Sequence, residues 1–123
     1  MISINLRDPR PIYEQVKDAF RRLIISGALS PEEKLPSVRE LAGQLVINPN
    51  TIQRAYRELE AEGYINSIPG KGSFARPRGA VDSGRARELL HRFDEAVTEL
   101  LYLGVTPEEL CERIGEGKEA AQA

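Results

Sequence analysis

Two apolar stripes of helical spacing lie so close together in this chain that the residues between them can form a turn and nothing larger. The first is Val38, Leu41, Ala42 and Leu45, opened by Ser37 with Glu40 three residues on, a pairing that satisfies free N–H groups at a helix start. The second is Ile52, Ala55, Tyr56 and Leu59, with Gly63 as its stop after Glu62. Between them runs Val46-Ile47-Asn48-Pro49-Asn50-Thr51. Asn48 suits an N-cap, and Pro49 suits the first helical position, where a missing N–H costs nothing. The proline therefore starts a helix instead of breaking one. Two short helices joined this tightly, the first over residues 38–45, predict a helix-turn-helix.

The flanking segments extend that motif. Ile2, Ile4 and Leu6 alternate with Ser3 and Asn5, as in a short strand or an extended arm, until Pro9 and Pro11 end it. Ile12, Val16, Phe20 and Leu23, supported by Tyr13, Ala19 and Ile24, then predict a helix over residues 11–26, closed by Gly27. Ser30 and Glu33 have capping-box spacing, but Pro36 follows too soon, and residues 30–36 read as loop. After the helix pair, Tyr64–Ile68 and Ser73–Ala75 flank Pro69-Gly70-Lys71-Gly72, which predicts a hairpin with a four-residue loop, a wing beside the helices. Residues 76–84 have the composition of a linker. A helix over 85–103 follows, then another with Thr106 as cap, Pro107 in its first turn and Leu110, Cys111 and Ile114 as its apolar side, fraying after Gly117. The expected fold is mostly α with a small β wing: a winged helix-turn-helix domain, residues 1–78, followed by a linker and a two-helix tail, residues 79–123.

Charge divides along the same line. The formal net charge of −2 argues against nucleic acid at first sight, since DNA binding needs clustered cations to displace counterions. Residues 1–78, however, carry 12 Lys/Arg against 9 Asp/Glu, and residues 79–123 carry 5 against 10. The front is mildly basic and the back acidic. Cys111 and His91 are each alone, so an intrachain disulfide and a cysteine or histidine metal cluster are excluded, and no paired acid/base or nucleophile constellation suggests an enzyme. No cofactor is expected. Apolar runs are far shorter than the roughly 20 residues of a membrane span and the N-terminus has no signal-peptide pattern, so a cytoplasmic location is expected.

On a helical wheel, Asn50, Arg54, Arg57 and Ala61 fall opposite the inward face of the second helix. Asn pairs with adenine and Arg with guanine or phosphate, while Thr51 can reach phosphate or a thymine methyl group. An ordinary solvated face has the same pattern; the neighbouring helix and hairpin favour the DNA-reading alternative. Glu58, Glu60 and Glu62 crowd the C-terminal half, where phosphates would repel them, so the N-terminal half with its positive dipole end is the part suited to a major groove.

Leu35-Pro36-Ser37-Val38-Arg39-Glu40-Leu41-Ala42, the run from Asn48 to Tyr56, Leu59-Glu60-Ala61-Glu62-Gly63-Tyr64 and Pro69-Gly70-Lys71-Gly72-Ser73-Phe74, with Pro11-Ile12-Tyr13-Glu14-Gln15 ahead of them, resemble the winged helix-turn-helix of the GntR family of bacterial transcription regulators. The Asn-Pro-Asn-Thr run and the short helical tail resemble its YtrA-like subfamily. That resemblance implies a dimeric regulator of repressor type, acting on an operon that is often transporter-related. By position it implies that Arg39 contacts phosphate or base, that Asn50, Thr51 and Arg54 work at the major groove, and that Gly70 and Lys71 reach the minor groove. Many relatives carry arginine where this chain has Pro49 and Gln53, so recognition at those two positions should differ, Gln53 taking the place of a charged contact. Gln53 and Arg57 complete the expected DNA-binding set. Val46 stands where relatives often have glycine, and a β-branched residue there predicts altered turn geometry.

In the tail, Leu89, Leu90, Phe93, Val97, Leu100 and Leu101, with Ala96, form a stripe wider than one short helix could cover. At roughly 25 cal/mol per Å2, leaving it in water would be costly. A second copy of the chain is the expected cover; folding back on the winged domain is the alternative. A homodimer on double-stranded DNA would present two recognition helices to half-sites of a roughly palindromic operator. A winged fold that has lost DNA binding and serves as a protein-interaction module is the competing function.

Overall fold

The structure, a computed structural model, describes residues 2–77 and 84–122, with side chains as far as Gly117. Its elements run α1 (Ile12–Ser26), α2 (Val38–Leu45), α3 (Pro49–Ala61), β1 (Ile65–Ile68), β2 (Gly72–Ala75), α4 (Gly84–Tyr102) and α5 (Pro107–Gln122). Backbone packing divides the chain into two compact units, residues 1–83 and 84–123. Of the expected linker over residues 76–84, residues 78–83 lie outside the described residues, and Gly84 already belongs to α4.

The first unit is built around α3. Its four inward residues, Ile52, Ala55, Tyr56 and Leu59, are all buried, meeting Val16 and Phe20 of α1, Leu41 and Ala42 of α2, and Ile65 and Ala75 of the hairpin. Phe20 stands edge-on to Tyr56 with ring centroids 5.6 Å apart. The Tyr56 hydroxyl donates to the Pro36 carbonyl at 2.7 Å, so the ring that fills the core also ties α3 to the segment leading into α2. Burial raises the Tyr56 phenol well above its ordinary pKa, with the Glu40 charge adding to the effect.

The helix starts follow their local codes. Ser37 Oγ accepts from Glu40 N at 3.1 Å, Asn48 Oδ1 accepts from Asn50 N at 2.8 Å, and Pro49 is the first residue of α3. Pro11 lies just outside α1 as its N-cap. The turn between α2 and α3 departs from expectation. Val46 adopts φ 55 and ψ 53, the left-handed conformation that a glycine would take, so the turn keeps its geometry and the side chain bears the strain.

One open alternative is decided and two further expectations are corrected. Residues 2–6 form no ladder; the alternative of an extended arm holds, with Ile2 and Ile4 partly buried against the core and Leu6 exposed. The arm is held by Gln15, whose Oε1 accepts from Asn5 N at 2.9 Å while its Nε2 donates to the carbonyls of Asn5 and Arg10. The segment 30–36 is not merely loop: Lys34 bridges Phe74, Leu35 N donates to Ser73 O, and Glu33 O accepts from Ala75 N, adding a short third edge to the wing. The hairpin pairs Ile65 with Ala75 and Ile68 with Gly72, which leaves residues 69–71 as a three-residue loop instead of four. Gly72 has φ 125, a conformation that L side chains rarely adopt, so the turn requires glycine; a Cβ there would lie 2.8 Å from Lys34 Cε, the flexible end of a side chain that can move aside.

The second unit contains α4 and α5, joined at Gly104 with φ 100. Thr106 Oγ1 accepts from Glu109 N at 3.2 Å, the predicted cap. The helix continues past Gly117, to Gln122, where fraying was expected. None of the residues of α4 is buried: Leu90 is 61% exposed and Phe93 46%, with Leu89 and Leu101 alongside. Val97 and Leu100 are half-buried.

Candidate nucleic-acid interface

Glu58 and Glu60 of α3 and its C-cap Glu62 are all engaged by the first unit. Glu58 accepts from Lys17 Nζ at 2.8 Å and from Arg54 Nε at 3.1 Å. Glu62 takes Lys17 Nζ and Arg21 Nη2, each at 2.8 Å, and Glu60 Oε2 accepts the Ser67 N–H of the wing at 2.5 Å. Arg21 and Arg10 in turn pair with Asp18, so the ion pairs run from the N-terminal loop along α1 to the C-terminal half of α3. The acidic half of the helix is thereby turned to holding α1 and the wing in place.

Hydrogen bonding from Lys17, reinforced by Arg54, holds the Glu58 carboxyl below its ordinary value of 4.5. Lys17 is raised despite the opposing effect of burial, because Glu58 and Glu62 both stabilise its charge. A depressed carboxylate contributes stability that is present above its unfolded value and lost as pH falls through the folded one. The melting temperature is therefore expected to fall as pH drops below about 4.5, and Glu58→Gln should lower stability at neutral pH while flattening that acid limb. Thermal melts of both proteins from pH 3 to 7 check this; parallel curves would sink the assignment.

The cations that face away from this network are the candidate DNA contacts. Arg39, in the first turn of α2, is exposed, as are Arg57 on α3 and Lys71 at the wing tip, and none of the three has an ion pair among the described residues. Lys71 is carried between Gly70, with φ 76, and Gly72, so the charge projects on a slim backbone. Asn50 and Gln53 are exposed on the first two turns of α3, and Thr51 is half-buried beside them. Arg39 and Pro49 border one open hollow with Ala42, Gly43, Val46 and Ile47, which places the α2 cation beside the start of α3.

Arg54 differs from the free outward residue of the helical wheel. Its guanidinium carbon lies 3.7 Å from the centroid of the Tyr13 ring while Nε is held by Glu58, so the group is stacked and fixed in orientation, with its side chain still 57% exposed. Its terminal nitrogens have no protein partner among the described residues and suit a phosphate. Nothing local marks Tyr13 for this role, because the partners lie 41 residues apart. Gln15 escaped sequence reasoning for a related reason: a buried glutamine on an amphipathic helix looks like an exposed one until the arm is seen against it.

Residues 12–74 match the sequence model of the bacterial regulatory proteins of the gntR family. The chain belongs to the GntR family. It is similar along nearly its whole length to the HTH-type transcriptional repressor YtrA of Bacillus subtilis (strain 168), at 37% identity over 118 residues covering 94% of this chain and 91% of that protein. The solved structure of YtrA from Sulfolobus acidocaldarius, a GntR-family transcription factor, superposes with a TM-score of 0.70 at 30% identity, covering 99% of this chain and 100% of that one. The DNA-binding domain of AraR in complex with operator ORR3 matches with a TM-score of 0.53 at 29% identity, over 61% of this chain and 90% of that one. This GntR protein is thus a YtrA-like winged-helix DNA-binding transcription regulator, in keeping with the resemblance carried by its motifs. Among the described residues of the GntR chain, no group of three or more His, Cys, Asp or Glu could hold a metal ion, and no helix is long and apolar enough to cross a membrane.

Proposed function

We propose that the protein is a homodimeric repressor that reads a roughly palindromic operator, with the N-terminal half of α3 in the major groove and the wing at the minor groove. The observation that carries this reading is the division of charge on the winged unit. The acids at the C-terminal end of α3 are consumed by α1 and the wing, whereas Arg39, Arg57 and Lys71 keep charges unpaired among the described residues, beside exposed Asn50 and Gln53. Such a surface attracts phosphates through its cations and reads bases through its amides. In this reading Arg39, Arg54, Arg57 and Lys71 hold the DNA backbone, with Gly70 letting the wing tip approach, and Asn50, Thr51 and Gln53 meet base edges. The exposed apolar stripe of α4 joins two copies, and the pair of α3 helices meets half-sites about one DNA turn, or a multiple, apart. The repressor role is supported by the likeness to a YtrA repressor, and the operator as target by the likeness to an operator-bound domain.

The test is a salt-titrated binding series on fragments selected from the source genome. Lys71→Ala is expected to weaken specific and nonspecific complexes alike and to reduce the salt slope by about one phosphate's worth. Asn50→Ala should instead relax sequence preference, losing about 1–3 kcal/mol of discrimination at one base pair per half-site. Failure of every fragment to bind specifically at low salt, or unchanged binding by the Arg39→Ala, Arg54→Ala double variant, would overturn the operator reading in favour of a protein-interaction module.

A further inference from the structure

Val46 is strained and exposed: the packed helices on either side fix its backbone, and its side chain lies outside the buried core. Its backbone is left-handed, a conformation that crowds Cβ against the carbonyl oxygen and is worse for a β-branched residue. The structural duty of the position is met by the backbone alone: the Val46 N–H donates to Ala42 O, as that of glycine would. The residue is 90% exposed, so burial offsets little of the strain. A residue that glycine or asparagine would replace at lower cost, kept with its apolar side chain in solvent, points to use by something outside the chain.

Its surroundings narrow the partner. Val46 lines an open hollow of about 530 Å3 with Arg39, Ala42, Gly43, Ile47 and Pro49. The walls are apolar apart from the guanidinium of Arg39, and Gly43 leaves space where a Cβ would meet nothing within 4 Å. Pro49 begins α3, the helix assigned to the major groove, and lacks the N–H that would otherwise greet a polar atom there. An apolar lip beside a single cation, at the start of a reading helix, fits the one apolar group that the major groove displays on base edges, the C5-methyl of thymine.

We propose that Val46, backed by Pro49, is a specificity residue that packs against a thymine methyl group at the rim of the operator's major groove while Arg39 holds the adjacent backbone. The inference rests on the operator reading above and adds to it a base preference that the amides of α3 do not supply.

The experiment uses the full chain and an operator duplex selected by it, with each thymine replaced in turn by deoxyuridine, which removes the methyl and nothing else. For the wild type, one position per half-site should lower affinity about fourfold, the effect of one methyl group at ~0.8 kcal/mol. Val46→Gly and Val46→Asn, both compatible with the left-handed turn, should melt higher than the wild type and lose that penalty while still binding the duplex. A wild type indifferent to every replacement, or variants that keep the same methyl penalty, would overturn the inference and leave the operator reading standing. If the wild type selects no duplex at all, both fall together.

Discussion

Phe93→Glu is expected to convert the protein to a monomer and to lower its affinity for a two-half-site operator by about two orders of magnitude or more. Phe93 lies in the middle of the apolar stripe of α4, nearly half-exposed, with Leu89, Leu90, Val97, Leu100 and Leu101 around it. Within the dimer proposed here it is buried against the partner, and a carboxylate in its place must be desolvated without a counterion, which costs more than the apolar contact contributed. Once the copies separate, the second half-site no longer benefits from the high effective concentration that a joined reading head enjoys, and that advantage is of order 10²–10⁴. The winged unit should be untouched, since the core residues all lie between Val16 and Ala75. Sedimentation at micromolar concentration and binding to one-half-site and two-half-site duplexes separate the effects: the variant should match the wild type on a single half-site and lose only on the pair. A dimer that survives the substitution, or equal losses on both duplexes, would count against α4 as the joining surface.

Phe20→Ala should destabilise the winged unit by about 3–5 kcal/mol, as for other fully buried phenylalanines. Phe20 has no exposed surface, and its ring stands perpendicular to that of Tyr56 at the contact between α1 and α3. Domains of this size are stable by only about 5–15 kcal/mol, so the variant should sit near the limit of folding at ambient temperature. The loss would pass directly to function. Tyr56 holds the segment ahead of α2 through its hydroxyl, and α3 carries the proposed reading residues, so a cavity at Phe20 loosens both halves of the helix-turn-helix. Urea unfolding followed by circular dichroism measures the cost, and Phe20→Leu, which keeps more of the volume, should lose clearly less. A cost below about 1 kcal/mol for the alanine variant would mean that the contact is peripheral.

How much of this was legible beforehand depended on the range of the interactions. The Ser37 and Asn48 caps, Pro49 at the head of α3 and the inward set Ile52, Ala55, Tyr56 and Leu59 could all be read directly, because each signal lies within about one helical turn of the residue it governs. The outward face of α3 was legible as a face, but not its internal division. Asn50, Gln53 and Arg57 are exposed, whereas Arg54 is stacked on Tyr13, a contact that no helical wheel contains. The third edge of the wing was missed because Lys34 has no strand pattern of its own and is recruited by Phe74, 40 residues away. Val46 misled in the opposite direction. Propensity forbids its conformation, but the packed helices on either side demand it, and tertiary packing outweighs a local strain of ~1–2 kcal/mol.

By itself the sequence determined the order and kind of the elements, the turn that makes two helices into a reading head, and the family. These are written in caps, stops and periodicities that act over a few residues. Only the tertiary structure decided which charges are paired. Lys17 and Arg21 are consumed by Glu58 and Glu62 across 41 and 45 residues of chain, Arg54 is held on Tyr13, and Arg39, Arg57 and Lys71 have no ion pair among the described residues, which leaves them for the proposed phosphate contacts. A cation's type is the same in all these places, and what distinguishes an internal clamp from a DNA contact is whether folding brings a carboxylate within reach.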